Sequence, residues 1–232
     1  PKTPKPRKFE LGALLIIFEN FKMAHYGKSD YWEDRYQKDK EPFDWYQRYS
    51  GVKDMITQYI QPSFQILNLG CGNSKMSEEM FEDSYSHITN VDISFTVIKQ
   101  MQEYYKEKIP QMTFKQMDAK SLQFEDGTFD AVIDKACFDS ILCGDNSGPN
   151  SEQMLNEIHR VLSPNGVYIC ITYGVPENRL GYFNKKDYDW TVFTQKAAKP
   201  TISTSTVISA GEKDDNKNFH FIYIMRKTPK KE

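Results

Sequence analysis

Short apolar runs alternate along the chain beyond residue 22 with segments whose apolar residues recur at helical spacing. Such alternation is typical of repeated β-α units that build a mainly parallel sheet. The apolar runs predict strands at Gln65–Leu69, Ile88–Asp92, Thr113–Gln116, Phe129–Asp134 and Gly166–Thr172. The amphipathic segments predict helices at Lys53–Ile60, Lys75–Phe81, Phe95–Lys108 and Ser151–Leu162.

After Thr172 the pattern changes. Trp190–Gln195 and Phe219–Arg226 are predicted as two further strands with no helix between them, so we expect them to pair antiparallel. The connection Lys196–Asn218 is rich in Ser, Thr, Lys, Asp and Asn and is predicted to be a mobile loop. The sequence therefore predicts a Rossmann-like, doubly wound α/β fold whose mainly parallel, seven-stranded sheet ends in an antiparallel C-terminal hairpin.

The length of 232 residues suits one core, and the chain contains no internal repeat that would indicate a second domain. Residues 1–22 combine a basic, proline-rich start with the apolar run Leu11–Phe18, which is too short to span a bilayer. We predict that residues 1–22 are an extension of unknown role and that residues 23–232 form the domain. A mitochondrial targeting segment is the alternative, although Glu10 and Glu19 are unusual in one.

Charge and cysteine usage exclude several classes of partner. Thirty basic and thirty-two acidic residues leave a net charge of −2, so bulk electrostatics favour neither nucleic acid nor an anionic membrane as a partner. The cysteines form no C-x-x-C pair, the histidines are scattered, and no convincing secretory signal is present. We therefore expect reduced thiols, no metal site and a cytoplasmic protein.

A glycine turn follows the first predicted strand. Gly70-Cys71-Gly72 leads from that strand toward a helix, and glycines at such a turn let a ligand approach the backbone at the helix N-terminus. About twenty residues further on, Asp92 ends the next strand, where a carboxylate can accept hydrogen bonds from both ribose hydroxyls of an adenosine. Taken alone, the glycines are equally consistent with a plain tight turn, and Asp92 with a helix cap.

Two more polar positions follow strand ends. Met117-Asp118-Ala119 comes after the third strand, where a polar residue can reach an adenine amino group, and Asp134 and Lys135 end the fourth strand. The carboxyl ends of parallel strands share the sheet edge at which open α/β folds bind ligands. Suitable residues at the ends of three successive strands are much less expected by chance than a suitable residue at one strand end.

These motifs resemble those of the seven-strand S-adenosylmethionine-dependent methyltransferases. The matching segments are Leu69–Ser74, Val91-Asp92, Met117-Asp118 and Phe129–Lys135. The chain also resembles a narrower subgroup, which methylates lysines or the N-terminus of proteins such as elongation factor 1-alpha. The segments that carry this resemblance are Tyr31–Gln37, Phe43–Tyr46, Tyr188–Thr191 and Phe219–Phe221. The similarity extends from about Tyr26 to Met225.

The resemblance implies S-adenosylmethionine as the cofactor and a protein substrate. The contacts that it implies are Trp32, Tyr36 and Trp45 over the methionine part, Gly70 and Gly72 beneath it, Asp92 and Ile93 at the ribose, Asp118 and Ala119 at the adenine, and Lys135 from the end of the fourth strand. The aromatic residues also have a direct rationale, because ring faces attract a sulfonium cation.

Two departures from the family bear on function. Asn68 stands where the wider superfamily often has an acidic residue, which weakens one common cofactor contact, although the narrower subgroup tolerates a neutral residue. The loop before the last strand is longer than is usual in the subgroup, which leaves the substrate open because loops carry specificity.

Methyl transfer to an amine requires mainly that the nucleophile be positioned and water removed. Asp134 and Asp139 are the candidates for contacting an incoming lysine amine, and both are equally consistent with structural roles. Three functions remain open at this point: a protein-lysine methyltransferase, a small-molecule or protein N-terminal methyltransferase, and a non-catalytic subunit that has kept the fold.

Overall fold

The computed structural model describes residues 25–200 and 215–228. The predictions for residues 1–22 and for most of the connection between the last two strands lie outside these ranges. The chain within them builds one seven-stranded sheet flanked by helices. The strands are β1 (Ile66–Leu69), β2 (Ile88–Asp92), β3 (Thr113–Gln116), β4 (Phe129–Lys135), β5 (Leu162–Thr172), β6 (Trp190–Ala198) and β7 (Phe219–Lys227).

The strand order is β3-β2-β1-β4-β5-β7-β6. The first five strands pair in parallel, so their carboxyl ends share one edge. β7 inserts antiparallel between β5 and β6, with Thr172 opposite Phe221 on one side and Trp190 opposite Lys227 on the other. The predicted Rossmann-like, mainly parallel sheet with an antiparallel C-terminal hairpin is confirmed.

Seven α-helices are found in the described part of the chain. They are α1 (Ser29–Lys38), α2 (Lys53–Tyr59), α3 (Met76–Glu82), α4 (Phe95–Tyr105), α5 (Cys137–Leu142), α6 (Ser147–Val161) and α7 (Pro176–Phe183). The four predicted helices correspond to α2, α3, α4 and α6, so α1, α5 and α7 were not among them, and the predicted start of α6 at Ser151 is four residues late. The additional first turn of α6 contains Pro149, which is tolerated there because the first N–H groups of a helix have no intrahelical partner.

The predicted start of β5 at Gly166 is also wrong. β5 begins at Leu162, which pairs with Phe129, and regular pairing with β4 resumes only at Val167 opposite Ala131. The intervening Asn165 has a φ of 66°, so residues 163–166 form an irregularity within the strand.

Two apolar layers cover the sheet. All four residues of β1 are buried, as expected for a strand with helices on both faces. On one face α6 contributes Met154, Leu155, Ile158 and Val161, whose spacing places them on one side of the helix. On the other face α2 and α3 pack through residues such as Ile56 and Met80. Apolar packing therefore covers both faces of the sheet, and the carboxyl edge is where a ligand-binding site can form.

Within the described ranges, none of the helices combines the length and apolar character that crossing a bilayer requires.

Candidate functional site

A cleft of about 990 Å³, measured to include solvent-open space, lies at the carboxyl edge of β1, β2 and β4. All ten residues predicted to contact the cofactor line it, and they are Trp32, Tyr36, Trp45, Gly70, Gly72, Asp92, Ile93, Asp118, Ala119 and Lys135. Asp134 and Asp139, the two candidates for contacting the acceptor amine, do not line it.

The glycine turn after β1 requires glycine for two reasons. Gly70 and Gly72 have φ values of +67° and +51°, in the left-handed region that other residues rarely adopt. A Cβ on Gly70 would also lie 2.6 Å from Cβ of Cys137, and one on Gly72 would lie 2.5 Å from Oη of Tyr36. The turn is therefore packed against both α5 and α1, and residues of both helices line the cleft.

Asp92 joins the glycine turn to the end of β2. Its Oδ2 accepts a hydrogen bond from the Gly72 N–H at 2.9 Å, and its Oδ1 accepts one from the Ser94 N–H at 3.0 Å. Burial raises the pKa of Asp92, while these backbone donors oppose the shift. Each carboxylate oxygen has a second lone pair, so Asp92 can still accept hydrogen bonds from a ligand in the cleft.

An aromatic wall, formed by Tyr26, Trp32, Tyr36 and Trp45, closes one side of the cleft. The Trp32 ring stacks on Tyr36 at 6.0 Å and meets Trp45 edge to face at 6.3 Å, and its Nε1 donates to the Tyr26 carbonyl at 2.7 Å. These ring faces are a suitable environment for a cation.

α1, which carries part of the aromatic wall, is fixed to the start of α4. Glu33 accepts hydrogen bonds from the Ser94 hydroxyl at 2.7 Å and from the Thr96 hydroxyl. The hydrogen bond from Thr96, followed by the one from Ser94, lowers the pKa of Glu33. The wall is thus held over the cleft by polar contacts as well as by packing.

Lys135 holds the segment around Trp45 to the sheet edge. Its Nζ donates to Asp44 Oδ1 at 2.8 Å and to the Trp45 carbonyl at 3.3 Å, and Asp44 also accepts from the Ser74 hydroxyl. Burial lowers the pKa of Lys135, and the neighbouring Asp44 carboxylate opposes that shift. Asp44 lies within a motif that the sequence analysis quoted, but its role depended on a partner 91 residues away.

Asn68 belongs to a buried polar network. Its Nδ2 donates to Ser77 Oγ and to Asn90 Oδ1, each at 2.9 Å. Asn68 therefore links β1, β2 and α3, and it also borders the cleft. The amide supplies donors that an acidic residue would lack, which explains why this chain has a neutral side chain here.

Asp134 caps α5 and does not reach the cleft. It is fully buried, and its carboxylate accepts hydrogen bonds from the N–H groups of Cys137 and Phe138, at 2.8 and 3.1 Å, and from the Tyr168 hydroxyl at 2.9 Å. Burial, followed by repulsion from Asp139, raises the pKa of Asp134 to about 7. These contacts give Asp134 the structural role that the sequence left open, and a contact with an incoming amine stays a prediction.

Asp139 lies on α5 just before Ser140 and Ile141, which line the cleft. Its Oδ1 accepts hydrogen bonds from Arg179 Nη2 and Thr172 Oγ1, both at 2.6 Å. Sequence reasoning did not identify Arg179, or Arg35, whose guanidinium lies 5.3 Å from the Phe43 ring centre at the cleft. The signal available for Arg35 was its position within the motif that contains Trp32 and Tyr36.

Comparison with known proteins points to one family. A family described as "Methyltransferase domain" matches residues 67–170. EEF1A lysine methyltransferase 4 of Mus musculus is 31% identical over 216 residues, covering 89% of this chain and 78% of that protein. The Bos taurus protein of the same name is 33% identical over 181 residues, covering 74% of this chain and 71% of that protein.

A longer relative matches only in part. The eEF1A lysine and N-terminal methyltransferase of Mus musculus is 36% identical over 179 residues, which are 75% of this chain but 25% of that protein. Among solved structures, a SAM-dependent methyltransferase from Methanosarcina mazei has a TM-score of 0.57 at 19% identity, covering 81% of this chain and all of that one. The 1,6-didemethyltoxoflavin-N1-methyltransferase of Burkholderia thailandensis has a TM-score of 0.55 at 13% identity, covering 98% and 93%. These structures support the fold.

Proposed function

Because this chain belongs to the class I S-adenosylmethionine-dependent methyltransferases, we propose that it methylates a lysine side chain of a protein and that eEF1A is a substrate. The observation that carries this proposal is the similarity to EEF1A lysine methyltransferase 4 over more than two thirds of both chains. S-adenosylmethionine is the cofactor, whereas the lysine acceptor and eEF1A as its bearer are the proposal, which the experiment below tests.

The residues that line the cleft suit the chemical groups of the cofactor. Asp92 offers carboxylate oxygens at the end of β2 for the ribose hydroxyls, with Ile93 beside it. Asp118 and Ala119 would hold the adenine at the end of β3. The aromatic wall would cover the positively charged sulfur, since ring faces attract cations. Gly70 and Gly72 leave the backbone uncovered beneath it, and Lys135 would act mainly by holding the wall in place.

When bound, the cofactor supplies a methyl group that its positively charged sulfur already activates for transfer. The residues of this chain then have three tasks: they bind the cofactor, they exclude water with the aromatic wall, and they orient the acceptor amine. A lysine amine must be neutral to attack, and its usual pKa of about 10.4 makes it charged near pH 7. The acceptor side of the site must therefore allow the amine to lose a proton.

A protein N-terminal amine is a second candidate acceptor. It is favoured by the 36% identity to a protein named as both a lysine and an N-terminal methyltransferase. An N-terminal amine has a pKa of about 7.7–8.0 and would be neutral more often than lysine at pH 7. A small-molecule acceptor or a non-catalytic role would have to be considered if neither amine were methylated.

The decisive experiment combines cofactor binding with product mapping. Calorimetric titration should show binding of S-adenosylmethionine, and incubation with recombinant eEF1A and labelled cofactor should label the protein. Mass spectrometry of the product then separates a methylated lysine from a methylated N-terminus. A protein that bound the cofactor but labelled neither eEF1A nor any other protein in a cell extract would refute the proposal. Imaging of the tagged full chain would test the expected cytoplasmic location.

A further inference from the structure

A cluster of polar and aromatic side chains lies beside the cleft, where the ends of β4 and β5 meet α5 and α7. We call it the acceptor cluster, and it consists of Tyr46, Asp139, Thr172, Tyr173 and Arg179. Tyr46 follows Trp45 of the aromatic wall, and Asp139 precedes Ser140 of the cleft lining. The cluster therefore adjoins the cofactor site but belongs to none of the cofactor contacts assigned above.

One oxygen of Asp139 has no hydrogen-bond partner. Its side chain is 5% exposed, and Oδ1 is occupied by Arg179 and Thr172, but Oδ2 is buried and has no partner with good hydrogen-bond geometry in the described part of the chain. The Tyr46 side chain is the neighbour that interacts most closely with this carboxylate without such a bond. Buried carboxylate oxygens are normally hydrogen-bonded, because leaving one without a donor is unfavourable. The oxygen is thus unpaired but enclosed, with the Tyr46 side chain close to the carboxylate, and a donor from a ligand would reach it by displacing neighbouring side chains.

Tyr46 is held near Asp139 by an unusual backbone conformation. Its φ is 59°, in the left-handed region, which is rare for a large aromatic residue and tends to occur at functional sites. Burial raises the pKa of Tyr46, and the charge of the Asp139 carboxylate and its close contact with the Tyr46 hydroxyl raise it further. The following residue, Gln47, fixes this segment by donating to the Ala198 carbonyl at 2.7 Å and pairing with His220 Nδ1 at 3.1 Å.

Tyr173 forms the open side of the cluster. It is 50% exposed, and its ring centre lies 6.0 Å from that of Tyr46 and 5.4 Å from the Arg179 guanidinium carbon. A slender side chain that enters from solvent could pass between aromatic rings toward Asp139. A lysine has this shape, with an apolar stem for the rings and an amine that donates hydrogen bonds.

We propose that the acceptor cluster is the subsite for the lysine amine, in which Asp139 Oδ2 accepts a hydrogen bond from the amine, Tyr46 and Tyr173 flank its stem, and Arg179 is a positioning residue for Asp139. This subsite rests on the proposed function, because it assumes a lysine acceptor. Both aspartates are buried, but Asp139 keeps one oxygen without a partner, whereas both oxygens of Asp134 accept hydrogen bonds.

The ion pair with Arg179 suits the chemistry. An unpaired carboxylate would hold the lysine as an ammonium ion, which has no lone pair for attack, whereas Arg179 balances the charge of Asp139. The neutral amine then forms the new N–C bond while the S–C bond breaks and sulfur keeps its electron pair. The methylated nitrogen is left with a positive charge and releases one proton to solvent. Titratable groups near Asp139 are Tyr46, Asp134, Cys143, Cys170, Tyr173, Arg179 and Tyr223.

Steady-state methylation of recombinant eEF1A by four variants of the full chain tests the subsite. Asp139→Asn should raise the KM for eEF1A about 10- to 100-fold, because a charge-assisted hydrogen bond is lost. Arg179→Gln should instead lower kcat at pH 7 and move the rising limb of its pH profile to higher pH, because the uncompensated carboxylate favours the ammonium form. Tyr173→Leu, at an exposed position that does not threaten folding, should raise KM about threefold to tenfold. Asp145→Asn, a change at an exposed carboxylate near the end of α5, is the matched control and should match the wild type.

Cofactor affinity and product mapping separate the two proposals. All four variants should bind S-adenosylmethionine within about twofold of the wild type, since none changes the cleft lining. If the wild type methylates a lysine while the Tyr173→Leu variant and a folded Asp139→Asn variant keep wild-type KM and kcat, the subsite is wrong and the proposed function stands. If the wild type methylates no lysine in eEF1A or in an extract, the proposed function fails, and the subsite fails with it.

Discussion

Replacing Asp92 by asparagine tests the centre of the cofactor site. The aspartate uses both oxygens, one for the Gly72 N–H at 2.9 Å and the other for the Ser94 N–H at 3.0 Å. Asparagine has nearly the same shape but only one acceptor oxygen, so its NH₂ group must face one of these two backbone donors. The Asp92→Asn variant therefore removes one hydrogen bond and brings two donors together.

The Asp92→Asn substitution should change two free energies, that of unfolding and that of cofactor binding. Losing a hydrogen bond to a charged acceptor and leaving a buried N–H unpaired should lower the free energy of unfolding by about 1–3 kcal/mol. Burial already raises the pKa of Asp92, so removing its charge offsets part of that loss, and the lower end of the range is expected. Loss of the ribose contact should weaken S-adenosylmethionine binding by a further ~1.5–3 kcal/mol, which is about 10- to 150-fold in Kd.

Urea unfolding and calorimetric titration measure the two free energies separately, with Asp145→Asn as the control for a carboxylate exchange on the surface. A folded Asp92→Asn protein that binds S-adenosylmethionine with wild-type affinity would refute the ribose assignment. A variant with unchanged stability would refute the argument that this carboxylate fixes the glycine turn, whatever its effect on binding.

Three further substitutions probe the elements around the cleft. Gly72→Ala should lower both Tm and cofactor affinity, because its Cβ would lie 2.5 Å from the Tyr36 hydroxyl oxygen. Adding Tyr36→Phe removes that oxygen and should restore part of both, as melting and titration experiments would show. The strain of the positive φ at position 72 would remain. Burial raises the pKa of Asp134 from 3.8 to about 7, so the folded state holds this proton more tightly than the unfolded state and stability should fall as pH rises between these values. Asp134→Asn should flatten that fall in Tm, and an equal slope in both proteins would contradict the assignment. Gly27→Ala would place a Cβ 2.2 Å from Cα of Gly144 and should displace the turn at Gly27, which lines the cleft. We expect cofactor binding to weaken about tenfold, with little change in Tm. Unchanged binding would mean that this turn does not cover the cofactor.

Much of the cofactor cleft could be predicted from the sequence because its parts are local. Each strand of the parallel sheet ends in a turn at the same edge, so a glycine turn after β1, an acidic residue after β2 and a polar residue after β3 are brought together by the topology alone. β2 and β3 were predicted with the bounds that the structure has, since short buried strands between turn residues give a clear pattern. Short helices such as α5 did not give one, because six residues span less than two turns.

The roles of individual charged side chains were decided by tertiary packing. Asp134 and Asp139 lie five positions apart and looked equivalent in the sequence, but the first caps α5 and is saturated with donors, whereas the second keeps one oxygen free. That difference depends on Tyr168 and Arg179, which are 34 and 40 residues away in the chain from the aspartates they contact. Periodicity reports which face of an element a residue occupies, but hydrogen-bond partners are set by how distant elements pack, and only the folded chain determines them.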